Sequence, residues 1–361
     1  MVDPIVDVVI AVHSSTRPIA RAAGSVLDGT DQPIRVTVVA HNIDPAIIRE
    51  NLGSYAEDPR LRLLELQDGI PSPAGPMNLG FDHAEAPFVS LLGSDDEFEK
   101  GLIGSWLALQ QETGADVVLA KIQEVQGVID PYPPVRFGRR TRKLDPCKDR
   151  LMYRSAPLGL VSRERFPDLR FSAGLGSGED LIYTLTLWFN STAIAYDLQG
   201  PRYIGHGDAP DRVTGVSRPL ADDFAFLDEL ESLHWFRALA HGKRLAVAVK
   251  MLRIHLFDAL AARLDFWQDN EPLRQEFVAL IQRLESLCPG SEKLLSRIDR
   301  KILDAVRRPS TNRDTLETLL SKRSSYRSAG VLLTRNPFLA LHRQAPLRTL
   351  GAGFMVIQDN R

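Results

Sequence analysis

Cysteine is nearly missing from this sequence: the 361 residues include two, Cys147 and Cys288, far apart and outside any CxxC or Cys/His pattern. That scarcity excludes a zinc ribbon or a disulfide scaffold, and it fits a reducing cytoplasm with both thiols free. Net charge is missing too. Lys and Arg total 44 against 46 Asp and Glu, a formal charge of −2, so no overall field recruits nucleic acid, and any affinity for anions has to come from local clusters. No apolar run reaches the roughly 20 residues that cross a bilayer as a helix. The amino terminus, MVDPIVDVVIAVH, carries Asp3 and Asp7 where a secretory signal would carry positive charge, and it reads as a first strand. The sequence has no internal repeat and no low-complexity tract.

What is present is a long alternation. Val6 to Val12 (VDVVIAV) and Ile34 to Ala40 (IRVTVVA) are the continuous β-branched runs of strands buried on both faces, and helices are expected after Pro18 and from about Pro45. Leu61 to Leu66, Phe88 to Leu92 and Asp116 to Ala120 read as further strands, with helical spacing over Lys100 to Thr113. The expected fold class is therefore α/β, an open sheet flanked by helices. Between Gln123 and Tyr153 this regularity fails in a proline cluster and a basic stretch with Arg136, Arg139, Arg140, Arg142 and Lys143, suited to an anionic acceptor or simply solvated. Later, LIYTLTLWFNS has helical character and AIAYDL is strand-like.

After about Val216 helical periodicity takes over. Leu245, Val249, Leu252, Leu256 and Leu260 form one apolar stripe, and Leu273, Phe277, Leu280, Ile281 and Leu284 another; Ser291 is the expected N-cap of the helix that follows. The expected division is a sheet domain over residues 1–215 and an α-helical domain over residues 216–361, serving acceptor binding, oligomerisation or membrane-surface contact. The tail mixes leucines with Arg335, Arg343 and Arg348; it is expected to dock on the helical domain or a partner subunit, with peripheral membrane contact as the other reading.

Chemistry concentrates where strands end. LLGSDDEFEKGL places Asp95 and Asp96 side by side after the fourth strand, where two carboxylates repel unless something positive sits close. HSSTRP follows the first strand, with His13 and Arg17 placed to meet a phosphate, and GSGED brings Glu179 and Asp180 to a helix start. Acids at a first helical turn also simply complement the helix dipole. AGLGSG is not read as a dinucleotide fingerprint, because its glycines follow a loop instead of a first strand.

In their order and spacing these pieces resemble the family 2 glycosyltransferases of the GT-A fold, over about Val6 to His206. VDVVIAVHSSTRPIARAAGSVL is similar to that family's opening strand and helix, GPMNLGFDHAEAPFVSLLGSDD to its Asn-containing helix, strand and DxD-type acids, and GEDLIYTLTLWF to its Glu-Asp motif. The resemblance implies an inverting, metal-dependent transfer from a nucleotide-diphosphate sugar, most simply a UDP-sugar, to a hydroxyl of a cell-surface glycan or its precursor. It implies Mn2+ or Mg2+ held by Asp95, with Asp96 a further ligand or a helix cap, and His206 a further ligand or a structural residue. Asp180 becomes the general base with Glu179 beside it, and His13, Arg17, Asn42, Asp44, Asn78 and Ser94 contact the donor. Two departures stand out: Gly93 replaces the first DxD acid, and the second strand ends in AHNIDP without the usual acidic pair. They motivate one alternative, a non-catalytic binding or assembly subunit; a nucleotidyltransferase on a related sheet is a further one, which would ordinarily carry a glycine-rich loop where this sequence has HSSTRP.

Overall fold

The structure, a computed structural model, describes residues 2–136, 141–207, 218–326 and 328–359. The expected 215/216 domain boundary and the pair Arg139 and Arg140 lie outside the described residues.

Four strands, β1 (Val6–Val12), β2 (Ile34–His41), β3 (Leu61–Leu66) and β4 (Phe88–Leu91), run parallel, as their near-continuous apolar runs require of strands covered on both faces. The helices between them are α1 (Ile19–Leu27), α2 (Pro45–Leu52) and α3 (Ala74–Asp82). Downstream come β5 (Glu97–Phe98), α4 (Leu102–Thr113), β6 (Val117–Leu119), β7 (Lys121–Glu124), β8 (Gly159–Ser162), α5 (Glu179–Asn190), β9 (Ile194–Tyr196) and β10 (Arg202–Gly205). The main sheet has seven strands in the order β3-β2-β1-β4-β8-β6-β9, and β5, β10 and β7 form a small second sheet. The expected open mixed sheet flanked by helices is thus borne out. Strand β8, not singled out in sequence, is the antiparallel member that lies between β4 and β6.

Core packing does not stop at the end of the sheet region. Leu181, Ile182 and Leu185 of α5 share one buried cluster with Leu227, Ala246, Val247, Met251 and Leu252 of the helical region. Both expected apolar stripes are found on helices, His241–Ala262 and Glu271–Leu287. The first is continuous but takes a π-type turn over Met251–Leu256. The expected N-cap at Ser291 is corrected: its hydroxyl donates to Glu285 Oε2 at 2.5 Å, and Ser296 caps Arg297–Val306 through a reciprocal box with Asp299. The tail returns to the sheet region, where Gln344 Nε2 donates to the Cys147 carbonyl at 2.9 Å, Arg150 Nε donates to the Arg343 carbonyl at 2.9 Å, and Val356 joins the core beneath α5. It leaves Phe338 and Leu341 exposed. No helix among the described residues is long and apolar enough to cross a membrane.

Gly159 shows how tightly β8 is inserted. Its φ is 138°, and a Cβ there would stand 2.0 Å from the Val118 carbonyl oxygen on β6. Gly159→Ala is expected to cost about 3 kcal/mol, read as a lower urea midpoint at unchanged slope.

Candidate functional site

Parallel β1, β2 and β4 deliver their following loops to one sheet edge, where such sheets bind ligands. Strand β6 runs the same way, because it is antiparallel to β8, which is antiparallel to β4. Strand β9 is parallel to β6, and α5 runs back along the sheet to feed it, so the first turn of α5 falls at that same edge. Topology therefore brings HSSTRP, AHNIDP, GSDD and GED to one rim.

At the β4 end the repulsion between Asp95 and Asp96 is relieved by giving them different partners. Asp95 Oδ2 lies 2.7 Å from Arg17 Nη1, and both residues are more than nine-tenths buried. Arg21, one turn into α1, donates to the Asp95 backbone carbonyl. Ser94 is buried beside them, and His13 is exposed in the β1 loop.

Asp96 turns the other way. Its Oδ2 accepts from the Tyr203 hydroxyl at 2.6 Å, and its Oδ1 accepts from the His206 backbone N–H at 2.9 Å. The Tyr203 oxygen in turn accepts from the Gly93 N–H at 2.9 Å. Burial raises the Asp96 carboxyl above its ordinary range, against the opposing effect of Tyr203 and the His206 N–H. The carboxylate occupies the space a side chain at 93 would need: a Cβ on Gly93 would stand 2.5 Å from Asp96 Oδ2. The absent first acid and the inward turn of Asp96 are thus one feature. The His206 imidazole lies 3.6 Å from Glu97 Oε2.

Other expected donor residues hold loops. Asn42, at φ 54°, accepts from the N–H groups of Asp68 and Gly69 at 3.1 and 2.9 Å, while its amide nitrogen donates to Asp68 Oδ1 at 3.2 Å. His41 Nε2 meets the same Asp68 oxygen at 2.8 Å. Asp44 caps α2 by accepting from the Ala46 N–H at 2.8 Å. Asn78 donates to the Phe171 carbonyl at 3.0 Å and accepts from the Phe171 N–H at 2.8 Å, and the backbone N–H of the next residue, Ser172, donates to the Glu179 carbonyl at 3.1 Å. Asn78 thereby ties α3 to the loop that precedes the Glu-Asp pair. In the basic stretch, Arg136 forms a two-pronged pair with Asp149, and Arg142 another with Glu112.

Glu179 and Asp180 open α5 behind Gly178, whose φ of 77° suits glycine and whose missing Cβ makes room for Phe226. Both acids line a cavity of about 510 Å³ that continues along Arg218, Asp223, His255, Asp258 and Arg263. Asp95, Asp96 and Arg17 are not in its lining. Burial, reinforced by Glu179 and opposed by Lys250, pushes Asp180 up to about 7. Burial also raises Glu179, with Arg218 opposing. An acid in this state, facing a cavity, can exchange a proton near neutral pH.

Sequence reading missed Arg21, Tyr203, Asp68 and the residues that surround Asp180 from the helical region. The signals were faint: Arg21 is four residues from Arg17, and Lys250 is a lone charge inside the apolar run VAVKML.

Comparison with known proteins agrees with this geometry. Residues 7–169, a little under half the chain, match the model of glycosyl transferase family 2. Two curated relatives, the poly(ribitol-phosphate) beta-N-acetylglucosaminyltransferase TarS of Staphylococcus aureus strains Mu50 and MW2, are 25% identical over 143 residues, 39% of this chain and 25% of theirs. Crystal structures of S. aureus TarS 1–349 superpose with TM-scores of 0.71 with UDP-GlcNAc and 0.67 with UDP, at 19% and 20% identity, each covering 89% of this chain and 91% of that one. Against a longer TarS structure the chain covers 55% of that protein. With the acids at the sheet edge, the family match and the shared fold in agreement, residues 7–169 are similar to glycosyl transferase family 2 and the chain has the GT-A fold.

Proposed function

We propose that the chain transfers a sugar, with inversion, from a uridine diphosphate donor to a hydroxyl of a cell-surface glycan or its precursor. The observation that carries this reading is Asp180: a half-buried carboxyl on a cavity at the sheet's ligand edge, raised to about 7 by desolvation. The donor class is supported by the TarS structures that hold UDP-GlcNAc and UDP. The two free thiols suit a cytoplasmic setting, and exposed Phe338 and Leu341 near Arg343 suit peripheral contact with a membrane.

In the reaction, Asp180 takes the proton of the acceptor hydroxyl as its oxygen attacks the anomeric carbon from the face opposite the diphosphate. The bond from that carbon to the diphosphate oxygen breaks, its electron pair stays with the departing UDP, and the configuration inverts. Glu179, beside Asp180 and near Arg218, is left to shape the acceptor pocket. On the donor side Arg17, already buried against Asp95, supplies a guanidinium fork for phosphate oxygens.

Mn2+ or Mg2+ fits this site in a limited way. No group of three or more His, Cys, Asp or Glu among the described residues is arranged to hold a cation, and Asp96 is engaged by Tyr203 and the His206 N–H. Arg17 pairs with Asp95 Oδ2, so Asp95 would be the residue to hold the ion, through its other oxygen. When bound, the ion would stabilise negative charge on the leaving diphosphate.

Three outcomes test this reading. Asp180→Asn is expected to lower transfer by about 10³-fold, measured as UDP release, while calorimetric affinity for UDP-sugar changes by less than about threefold. Near-normal turnover would remove Asp180 from the mechanism. In the wild type, kcat/KM should rise with pH through about 7, because the base acts only when ionised, and should fall about tenfold per unit below it. Restoring the family's acid by Gly93→Asp should weaken UDP binding, since the new side chain displaces Asp96 from Tyr203; tighter binding would contradict the strut role of Asp96.

A further inference from the structure

The cavity that Asp180 lines is closed on one side by the helix His241–Ala262, which brings His255, Asp258 and Ala259 to the lining. Lys250 and His255 stand five residues apart on this helix, and on a regular α-helix their side chains would diverge by about 140 degrees. They meet because the helix widens into a π-type turn at Met251–Leu256, whose i to i+5 pattern puts them on one face. Such turns recur at functional sites.

Lys250, buried, donates to Ser155 Oγ at 3.0 Å and to His255 Nε2. An ammonium has three donors and no lone pair, so Nε2 must accept and the ring proton must sit on Nδ1. Burial lowers Lys250 to about 8 and, with Lys250 adding to the effect, keeps His255 well below its ordinary value, so near neutral pH the pair is an ammonium against an uncharged ring. The ring packs at 5.9 Å from Phe226, which fills the space beside Gly178 at the start of α5. Nδ1, on the side of the ring away from Lys250, has no hydrogen-bond partner among the described residues. Around the same cavity stand the carboxylates of Glu179, Asp180 and Asp258, none with a side-chain hydrogen bond among the described residues, while Arg263 is engaged by Asp223 at 2.5 Å and by the Arg218 carbonyl at 2.6 Å. A hydroxyl both donates and accepts, so neighbouring hydroxyls of a polyol can take a hydrogen bond from Nδ1–H and give others to these carboxylates. A phosphodiester only accepts, and its charge would meet three acids.

We propose that His255 is an acceptor-binding residue: its Nδ1–H, fixed by the Lys250 ammonium on Nε2, donates to a hydroxyl oxygen of a neutral polyol or sugar whose neighbouring hydroxyl donates to a carboxylate of the cavity. Lys250 acts through His255 as a positioning residue and touches no substrate. The proposal rests on the cavity as the acceptor site of the transfer described above, and it names the acceptor class as uncharged where it enters that cavity.

The test is nitrogen NMR of the full chain carrying 15N-labelled histidine and saturated with UDP, with His255 assigned by its loss in His255→Asn or His255→Phe. The wild-type ring should show the Nδ1–H pattern, and titration with glycerol, ribitol or methyl β-glucoside should move the resonance of that protonated nitrogen. Ribitol phosphate should bind at least about tenfold more weakly than ribitol. In Lys250→Met the ring proton is released to either nitrogen, and the affinity of the responding polyol should fall about tenfold. An Nε2–H ring in the wild type, or His255 resonances that none of the neutral polyols moves, would overturn the proposal, and equal or tighter binding of the phosphate ester would overturn the acceptor class. The wild-type titration needs no variant beyond the assignment. Binding is read without turnover, so its failure is separate from failure of the catalytic reading, which would appear as an active Asp180→Asn enzyme.

Discussion

The packing of α5 against the helical region is the constraint on which the rest depends. Leu181, Ile182 and Leu185 are buried together with Ala246, Val247, Met251 and Leu252, which fixes the first turn of α5 against that core. The same packing brings His255, Asp258 and Arg263 to the cavity that Asp180 lines. Residues on both sides of position 215 thus share one buried cluster and line one cavity.

The donor side solves a different electrostatic problem. Two adjacent acids after β4 are made compatible by sending one to Arg17 and the other to Tyr203. Because the inward carboxylate fills the space above residue 93, glycine there follows from local sterics. The departure from the DxD pattern of family 2 goes with that packing of Asp96. It leaves a single carboxylate, Asp95, whose partner Arg17 is a cation that a phosphate could recruit.

How much of this was legible depended on whether neighbours in space were neighbours in sequence. Strands β1 to β4 were readable because two-sided burial writes itself as runs such as VVIAV and VTVVA. The acids of GSDD and GED were readable because they follow strands or open helices, where position alone suggests a role. By contrast, β8 was hidden, since four residues inserted antiparallel between distant strands carry no periodic mark, and Ser296 lost to Ser291 because both precede plausible helices. Asn42, Asp44 and Asn78 have donor-like residue types, yet their side chains are engaged with Asp68, Ala46 and Phe171, partners up to 93 residues away. Lys250 could be seen only as an oddity in an apolar stripe; its partners, Ser155 and His255, needed the fold.

The most direct measurement of the central claim is a crystal structure of the chain with an unhydrolysed UDP-sugar. The account predicts the diphosphate against Arg17 and Asp95, with the anomeric carbon turned toward the cavity that Asp180 lines. A diphosphate bound away from Arg17, or a sugar separated from that cavity by protein, would contradict it.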